Sequence, residues 1–264
     1  MNPWKQWLLV WALAAIAQGI AWARQQRSAN AGIVDVAWSF GLGAAAVVAA
    51  ATGAGAPLPR ALLAALGGLW GLRLGLHLLR RVRGEAEDGR YAQLRKRWGA
   101  APLKWLGMFQ FQALLVALFS LPFLAVAASP VEHWNAWTIA GIAVWLGSVV
   151  GETLADRQLA RFRADPANRG KTCRDGLWRW SRHPNYFFEW LHWFAYVLLA
   201  VGSPFAWLAW IGPLLMYVFL RWISGIPFTE AQALRSRGED YARYQRNTPM
   251  LFPWFPKHSK GRSA

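Results

Sequence analysis

Apolar residues occur along the chain in long runs, of the length that a transmembrane helix needs to cross a hydrocarbon core about 30 Å thick. Seven such runs cover residues 4–23, 33–51, 60–79, 106–127, 137–154, 187–201 and 205–223. The sixth run is short, and Gly212 and Pro213 interrupt the seventh. The pattern predicts an all-α, polytopic integral membrane protein with about seven transmembrane helices in a single membrane domain, residues 1–264.

The composition agrees with a membrane protein. Of the 264 residues, 55% are hydrophobic and 16% are charged, whereas soluble domains average about 25% charged residues. This excludes a disordered chain, a coiled coil, a secreted disulfide scaffold and a soluble nucleotide-binding fold. Cys173 is the single cysteine, which excludes an internal disulfide and a thiolate-rich metal site.

The positions of the basic residues predict the orientation. Almost all Lys and Arg residues follow the first, third, fifth and last runs, whereas the connections 52–59, 128–136 and 202–204 carry none. Because cytoplasmic loops collect positive charge, we expect the N-terminus outside and the C-terminus in the cytoplasm. Topology then explains the net charge of +16 without a nucleic-acid partner, and the lipid bilayer is the partner that we expect.

The first run has an alternative interpretation as a signal peptide. Lys5, the apolar run and the Ala-Trp-Ala triplet at 21–23 match the order of a charged region, an apolar region and a cleavage site. The run is longer than the apolar region of a typical signal peptide, and Arg24 and Arg27 directly after it favour a retained helix.

Ionisable side chains inside apolar runs are costly and therefore point to function or to buried pairs. They are Asp35 in the second run, Arg73 and His77 in the third, Glu152 and Asp156 at the end of the fifth, and Glu189 and His192 in the sixth. A structural pair, for example Asp35 with Arg73, is one interpretation. For Glu152, Asp156 and Glu189 we expect a functional role, because all three flank the loop 156–182.

This loop carries eight basic residues, enough to neutralise a polyphosphate, although contact with anionic lipid headgroups is the alternative. No glycine-rich phosphate loop occurs in the chain, so side chains and helix ends would have to hold a nucleotide. His183 and Pro184 predict the point where the loop becomes a helix, since proline suits the first helical turn. The N-terminus of that helix would attract phosphate, and Asn185 offers both a donor and an acceptor there.

The run Gly176-Leu-Trp-Arg-Trp-Ser-Arg-His-Pro-Asn-Tyr-Phe-Phe-Glu189 resembles the signature of the steroid 5-alpha-reductase-like superfamily (3-oxo-5-alpha-steroid 4-dehydrogenase C-terminal type). It is most similar to the bacterial branch that is labelled a domain of unknown function. The segments 152–158, 224–230 and 238–249 fit the same branch. The resemblance covers about residues 140–256, and the first three runs match only in hydropathy.

The resemblance implies a membrane reductase, in a bacterial inner membrane, that binds NADPH in a cavity on the cytoplasmic side. Residues 1–135 would form variable helices on the substrate side, 136–256 the cofactor-binding region and 257–264 a tail that we expect to be disordered. Asp156 and Asn185 match cofactor-contacting positions, and Glu189 matches a carboxylate on the same helix. The full set of expected cofactor-binding residues is Glu152, Asp156, Arg163, Arg174, Arg179, Arg182, His183, Asn185, Glu230, Tyr241 and Tyr244, and the expected catalytic residues are Asp35, Tyr186 and Glu189.

The chain also departs from steroid reductases. Glu152 replaces an asparagine, Leu234 replaces a cofactor-contacting tyrosine, and the N-terminal glutamate and tyrosine that bind the steroid carbonyl have no motif match. Asp35 is the one acid in the early runs, and we expect it by chemistry, not by alignment, to serve as the proton donor if burial keeps it protonated.

Three functions therefore remain open. The first is NADPH-dependent reduction of a carbon–carbon double bond in a hydrophobic lipid or steroid-like substrate. The second follows from a more distant resemblance to isoprenylcysteine carboxyl methyltransferases, with S-adenosylmethionine as cofactor and Glu230, Tyr244 and Arg246 at the site. The third is a lipid-binding or transport protein without catalysis. A di-iron site needs a second copy of the Glu189–His192 spacing, which the five histidines do not provide, so we expect no metal.

Overall fold

The computed structural model describes residues 1–256, which form α-helices and short turns without any strand in that range. The predicted tail, residues 257–264, lies outside the described residues. The helices are α1 Pro3–Ser28, α2 Ile33–Thr52, α3 Pro57–Gly84, α4 Gly89–Trp98, α5 Pro102–Phe119, α6 Leu121–Ala127, α7 Ala136–Ala164, α8 Pro184–Leu199, α9 Ile211–Val218, α10 Ile226–Arg237 and α11 Glu239–Asn247. Short 3₁₀ turns occur at Pro166–Asn168, Gly176–Arg179 and Ala206–Trp210, and a π-helical turn at Phe219–Ile223.

Six helical segments within residues 1–256 are long and apolar enough to cross a membrane, which confirms a polytopic, all-α membrane protein. They are α1, α2, α3, Pro102–Ala127, α7 and Ala206–Arg237. The sixth predicted span forms α8, which has 16 residues and is therefore about 24 Å long, shorter than the hydrocarbon core. The seventh crossing, and the orientation of the two termini that depends on it, remain predictions from the sequence.

The chain forms two compact units. The first unit contains Met1–Gly141 and Tyr196–Gly212, and the second contains Ile142–Ala195 and the chain from Pro213 onward. Asp35 therefore belongs to the first unit, whereas every expected cofactor-binding residue belongs to the second.

In the first unit, α3 packs on α2 through a stripe of glycines one turn apart. A Cβ atom added to Gly71 would lie 2.5 Å from the Gly43 Cα, and one added to Gly67 would lie 2.5 Å from the Ala46 Cβ. A Cβ on Gly75 would lie 2.6 Å from the Phe40 ring. Small residues at this spacing let two membrane helices approach closely, so that backbone packing replaces the hydrophobic effect as the source of association.

Buried side-chain amides of α1 attach this helix to the same unit. Gln6, Gln18 and Gln25 are each 1% exposed. The Gln6 side-chain amide donates to Thr52 Oγ1 at 2.9 Å, and that of Gln18 donates to the Val34 carbonyl at 3.3 Å. The helix continues without a break through residues 21–23, so cleavage at the Ala-Trp-Ala triplet would remove most of a helix that this unit packs around.

In the second unit, the loop after α7 folds back onto that helix. Gly176 has φ +57°, a left-handed conformation that favours glycine. A Cβ atom added to Gly176 would lie 2.3 Å from Gln158 Nε2, so the position has no room for a larger residue. Gln158 Oε1 accepts a hydrogen bond from the Leu177 N–H at 2.9 Å, and the Trp178 indole donates to the Ala155 carbonyl at 2.9 Å. These bonds place the signature segment against the end of α7.

Candidate functional site

The signature segment enters α8 at the point where the sequence predicted a change from loop to helix. α8 begins at Pro184, which confirms that prediction. The Ser181 hydroxyl donates to the Leu251 carbonyl at 2.8 Å and accepts from the His183 N–H at 3.1 Å. Ser181 thereby joins the start of α8 to the segment that follows α11.

Asp156 and Asn185 lie side by side. The Asn185 Nδ2 donates to Asp156 Oδ1 at 3.1 Å, and the Asn185 Oδ1 accepts from the Tyr186 N–H at 3.0 Å. Both side chains are half-buried. The two positions that the resemblance assigns to the cofactor, 29 residues apart in sequence, thus meet where α7 passes the first turn of α8.

Glu230 on α10 is a hub that holds several expected cofactor-binding residues together. Its Oε1 accepts from Arg182 Nε at 2.7 Å and from the Tyr241 hydroxyl at 3.4 Å, and it lies 3.1 Å from His183 Nε2. Its Oε2 accepts from the Gln245 amide at 2.8 Å. The sequence predicted that Arg182, His183, Glu230 and Tyr241 bind a cofactor; in the structure they lie together and bind one another.

Arg182 donates to the protein from its Nε and Nη1 atoms. Besides the Glu230 bond, its Nη1 donates to the Gln245 carbonyl at 2.8 Å and to the Thr248 carbonyl at 2.7 Å. The side chain is 12% exposed. These contacts give Arg182 a structural role at the signature, and they leave it poorly placed to bind a phosphate.

The two tyrosines of α11 are also fixed by the protein. The Tyr244 hydroxyl lies within hydrogen-bond distance of the Trp178 carbonyl at 2.5 Å and the Ser181 carbonyl at 3.1 Å. Burial raises the pKa of Tyr241 and the pKa of Tyr244 well above the usual value for tyrosine. Both hydroxyls therefore stay protonated and serve as hydrogen-bond donors.

Arg163 and Arg179, by contrast, are exposed. Arg179 stacks on Trp180, with its Cζ 5.7 Å from the ring centroid, and within residues 1–256 neither arginine is ion-paired. Arg174 is paired with Asp240 at 2.6 Å. The cations of the loop that remain open to an anionic ligand therefore include Arg163 and Arg179.

The other expected residues of the second unit lie on α7 and α8. The Tyr186 hydroxyl is 3.2 Å from Thr229 Oγ1, and its ring stacks on His183 with centroids 5.3 Å apart. Glu189 follows Asn185 by one turn of α8, and Glu152 precedes Asp156 by one turn of α7. Within residues 1–256 no three His, Cys, Asp or Glu side chains are grouped as metal ligands.

Asp35 in the first unit forms an ion pair, but its partner differs from the pair considered in the sequence. Its Oδ2 lies 3.2 Å from Arg90 Nη2, and its Oδ1 accepts from the Tyr91 hydroxyl at 2.7 Å. Arg90 also contacts Asp88 at 3.1 Å. Arg90 and Tyr91 thus satisfy the two oxygens of the Asp35 carboxyl group, which the sequence marked as the expected proton donor. Burial and the Asp35 charge raise the pKa of Tyr91 well above its usual value.

Sequence reasoning missed Arg90 and Tyr91, because they lie on α4, a short helix inside a loop that the sequence marked only as basic. Their distance of 55 and 56 residues from Asp35 leaves no local signal. The close packing at glycines 67, 71 and 75 could have been predicted, because their spacing of four residues places them on one helix face.

The family model described as "Protein of unknown function (DUF1295)" matches residues 21–248. The chain belongs to this family. The match begins well before the region that carries the signature, so it includes Asp35 and Tyr91 as well as the hub around Glu230. The DUF1295 family thus covers both units, whereas the motif resemblance covered only the second half of the chain.

A fungal protein is also similar. The chain is 29% identical over 184 residues to "Uncharacterized protein C594.04c" of Schizosaccharomyces pombe (strain 972), an alignment that covers 57% of this chain and 53% of the fungal protein. The chain thus spans about half the length of this relative. No solved structure matches the chain.

Proposed function

We propose that this DUF1295 protein is a membrane-embedded, NADPH-dependent reductase of a carbon–carbon double bond in a lipid or steroid-like substrate, in a bacterial inner membrane. The observation that carries the proposal is the Asn185–Asp156 hydrogen bond of 3.1 Å at the N-terminus of α8. It joins the two residues that match cofactor-contacting positions in the reductase superfamily. The apolar helices favour a substrate that is itself dissolved in the bilayer.

The residues of the second unit fit an anionic dinucleotide. Arg163 and Arg179 are exposed cations without an acidic partner in the described chain, and the start of α8, a helix of 16 residues, carries the positive end of a helix dipole. Arginine suits phosphate because its planar guanidinium can donate two parallel hydrogen bonds. The bound cofactor would supply the hydride, while the protein supplies orientation and electrostatics.

The remaining expected residues divide into two roles. Asn185, held by Asp156, would bind a ribose or amide group, since its side chain both donates and accepts. Arg182, His183, Glu230, Tyr241 and Tyr244 would act indirectly, by holding the signature segment against α10 and α11. Asp35, whose Oδ1 accepts a hydrogen bond from the Tyr91 hydroxyl, would be the proton donor to a substrate carbonyl.

Parallel titrations test the proposal. Purified protein in nanodiscs is titrated with NADPH and with S-adenosylmethionine, at low and at moderate salt. We expect saturable NADPH binding that weakens with salt, because binding to cations releases counterions, and at least about tenfold weaker binding in Asn185→Ala. Asn2→Ala, an exposed helix cap of the first unit, is the matched control and keeps its affinity.

Two results would contradict the proposal. Binding of S-adenosylmethionine alone would replace the reductase with the methyltransferase alternative. Unchanged NADPH affinity in Asn185→Ala would remove Asn185 and its bond to Asp156 from the cofactor site.

A further inference from the structure

Residues 252–255, Phe-Pro-Trp-Phe, follow α11 and form an aromatic segment outside the six candidate membrane spans. Its large side chains are exposed, with Phe252 at 49%, Trp254 at 71% and Phe255 at 68%. Single exposed apolar residues are ordinary, but adjoining ones mark a surface that contacts a membrane or another molecule. The aromatic segment therefore needs a partner.

The exposed aromatic side chains project from a backbone that the signature segment holds in place. The Trp254 N–H donates to the Trp180 carbonyl at 3.0 Å, and the Arg182 N–H donates to the Pro249 carbonyl at 2.9 Å. The Phe255 ring contacts the Trp180 ring, with centroids 5.2 Å apart. The residues that lead into α8 thus also fix the position of the aromatic segment.

Ring contacts connect the aromatic segment to a helix that can cross the membrane. The Phe252 ring centroid lies 6.3 Å from that of Tyr217, which in turn lies 5.5 Å from that of Trp222. Trp222 and Ile223 belong to the candidate span Ala206–Arg237, and both are exposed. The exposed apolar surface of the aromatic segment therefore adjoins the exposed apolar surface of a membrane span.

The backbone of the aromatic segment restricts the depth at which it can lie. Residues 252–255 form neither helix nor strand. An irregular backbone does not lie exposed to lipid in the hydrocarbon core, because its N–H and C=O groups would lack partners there. Its aromatic side chains, however, gain free energy by leaving water. The boundary between headgroups and acyl chains meets both requirements.

Cations on both sides of the aromatic segment favour the same depth. The Arg221 Cζ lies 5.6 Å from the ring centroid of Trp222, and in the sequence Lys257, Lys260 and Arg262 follow the segment. Tryptophan is enriched at the membrane interface, where a basic side chain can keep its charge in the headgroup layer. The phosphates of phospholipid headgroups complement these charges.

We propose that the aromatic segment is an interfacial anchor, which inserts Phe252, Trp254 and Phe255 into the boundary between the headgroups and the acyl chains of the phospholipid bilayer. The anchor fixes the depth of Trp180 and Arg182, and so of the start of α8, relative to the membrane surface. It is a contact with lipid that does not span the membrane, and it is independent of the reaction that the protein catalyses.

The test measures the depth of a nitroxide label by electron paramagnetic resonance. Full-length Pro253→Cys, which retains the three aromatic side chains, is labelled and reconstituted in vesicles of phosphatidylcholine and phosphatidylglycerol. The parent, whose single cysteine Cys173 is buried, gives the labelling background. Oxygen, which concentrates in lipid, and a water-soluble nickel complex are the collision partners. We expect oxygen to dominate and the label to lie about 5–10 Å below the membrane surface.

Arg243→Cys on α11, an exposed position of the same unit, is the matched control, and its label should meet mainly the nickel complex. Phe255→Cys provides a second position in the aromatic segment and should report the same depth as Pro253→Cys. Labels in the segment that meet the nickel complex as readily as the label at position 243 would place the segment in water and overturn the proposal. Labels screened from both reagents would show that a protein surface covers the segment, and would overturn it equally.

A second variant tests whether the aromatic rings cause the insertion. Trp254→Gln, added to Pro253→Cys, retains the backbone N–H that bonds to Trp180 and should move the label towards water. Trp134→Gln, which changes an exposed tryptophan of the first unit, is the control and should leave the label in place. An unchanged depth in the Trp254→Gln variant would show that the rest of the fold, and not the aromatic side chains, sets the position of the segment.

Discussion

Arg182 of the signature segment donates its Nε–H to Glu230 Oε1 at 2.7 Å, across 48 residues of sequence. His183 lies 3.1 Å from the same oxygen. Arg182 and His183 are therefore occupied in holding the start of α8 to α10. Asn185, Arg163 and Arg179 are not bonded to Glu230, and we expect them to meet a ligand.

Replacing Glu230, the shared acceptor of Arg182 and His183, should destabilise the second unit. Glu230→Ala leaves Arg182 and His183 without their shared acceptor, and because both members of the ion pair are nearly buried, at 12% and 15% exposure, we expect a loss of about 3–5 kcal/mol. Thermal unfolding of the purified protein measures it. Glu239→Gln, which breaks the exposed pair with Arg246, is the control and should unfold like the parent. Equal unfolding of Glu230→Ala and the parent would show that the hub carries no stability.

Replacing the exposed arginines should weaken cofactor binding and leave the stability of the protein unchanged. Arg163→Gln and Arg179→Gln should each weaken NADPH binding about tenfold and reduce its dependence on salt, because each removes a charge that binds phosphate. Stability should not change, since neither side chain is buried. Binding isotherms at several salt concentrations test this, with Arg243→Gln, an exposed cation on α11, as control. An unchanged salt dependence would place the phosphates elsewhere.

His183 should make stability depend on pH. Burial lowers the pKa of His183 below 6.5, although the Glu230 hydrogen bond acts in the opposite direction. The unfolded chain, in which a histidine has a pKa of about 6.5, therefore takes up the proton before the folded protein does. Stability should fall as the pH drops from about 7 towards 5.

Unfolding midpoints across that pH range measure the effect. His183→Gln should show a flatter profile than the parent, whereas His133→Gln, which changes an exposed histidine, should keep the parent profile. The same slope in His183→Gln and the parent would assign the pH dependence to another group.

The glycine stripe of α3 predicts a steric effect. Gly71→Ala introduces a Cβ that would lie 2.6 Å from the Gly43 nitrogen, so the two helices have to separate, at a cost of about 1–3 kcal/mol. Gly107→Ala on α5, where a Cβ meets nothing within 4 Å, should be neutral or stabilising, because alanine favours a helix over glycine. Denaturation in detergent compares the two variants, and equal stabilities would argue against close packing of α2 and α3.

Asp35 should be required for turnover if the protein reduces a carbonyl-conjugated double bond. Asp35→Asn removes the carboxyl group and retains the size of the side chain, and loss of a general acid lowers kcat by about a hundredfold or more. NADPH affinity should not change. Steady-state kinetics and a parallel binding titration test this, with Glu132→Gln, which changes an exposed acid of the first unit, as the control. A normal kcat in Asp35→Asn would assign the Asp35, Tyr91 and Arg90 cluster to stability alone.

Features that depend on a continuous segment could be predicted from the sequence. The runs of apolar residues predicted an all-α membrane protein, and the His183-Pro184 pair predicted where α8 begins. Both depend on local chemistry, namely the transfer of apolar side chains to lipid and the fixed φ of proline. At α8 the bounds differ, because the predicted run covered 187–201 whereas the helix covers Pro184–Leu199. The ends of an apolar run only approximate the ends of a helix.

Features that depend on which side chains meet could not be predicted in this way. The sequence placed Arg182, Glu230 and Tyr241 in one functional group, but only the tertiary structure shows that they satisfy one another. Asp35 was marked as costly inside a membrane segment, and folding decided that Arg90 and Tyr91, rather than a residue of the neighbouring spans, satisfy it. The physical reason is that apolar burial is summed along a segment, whereas a hydrogen bond requires two particular atoms within about 3 Å, and their separation depends on the whole fold.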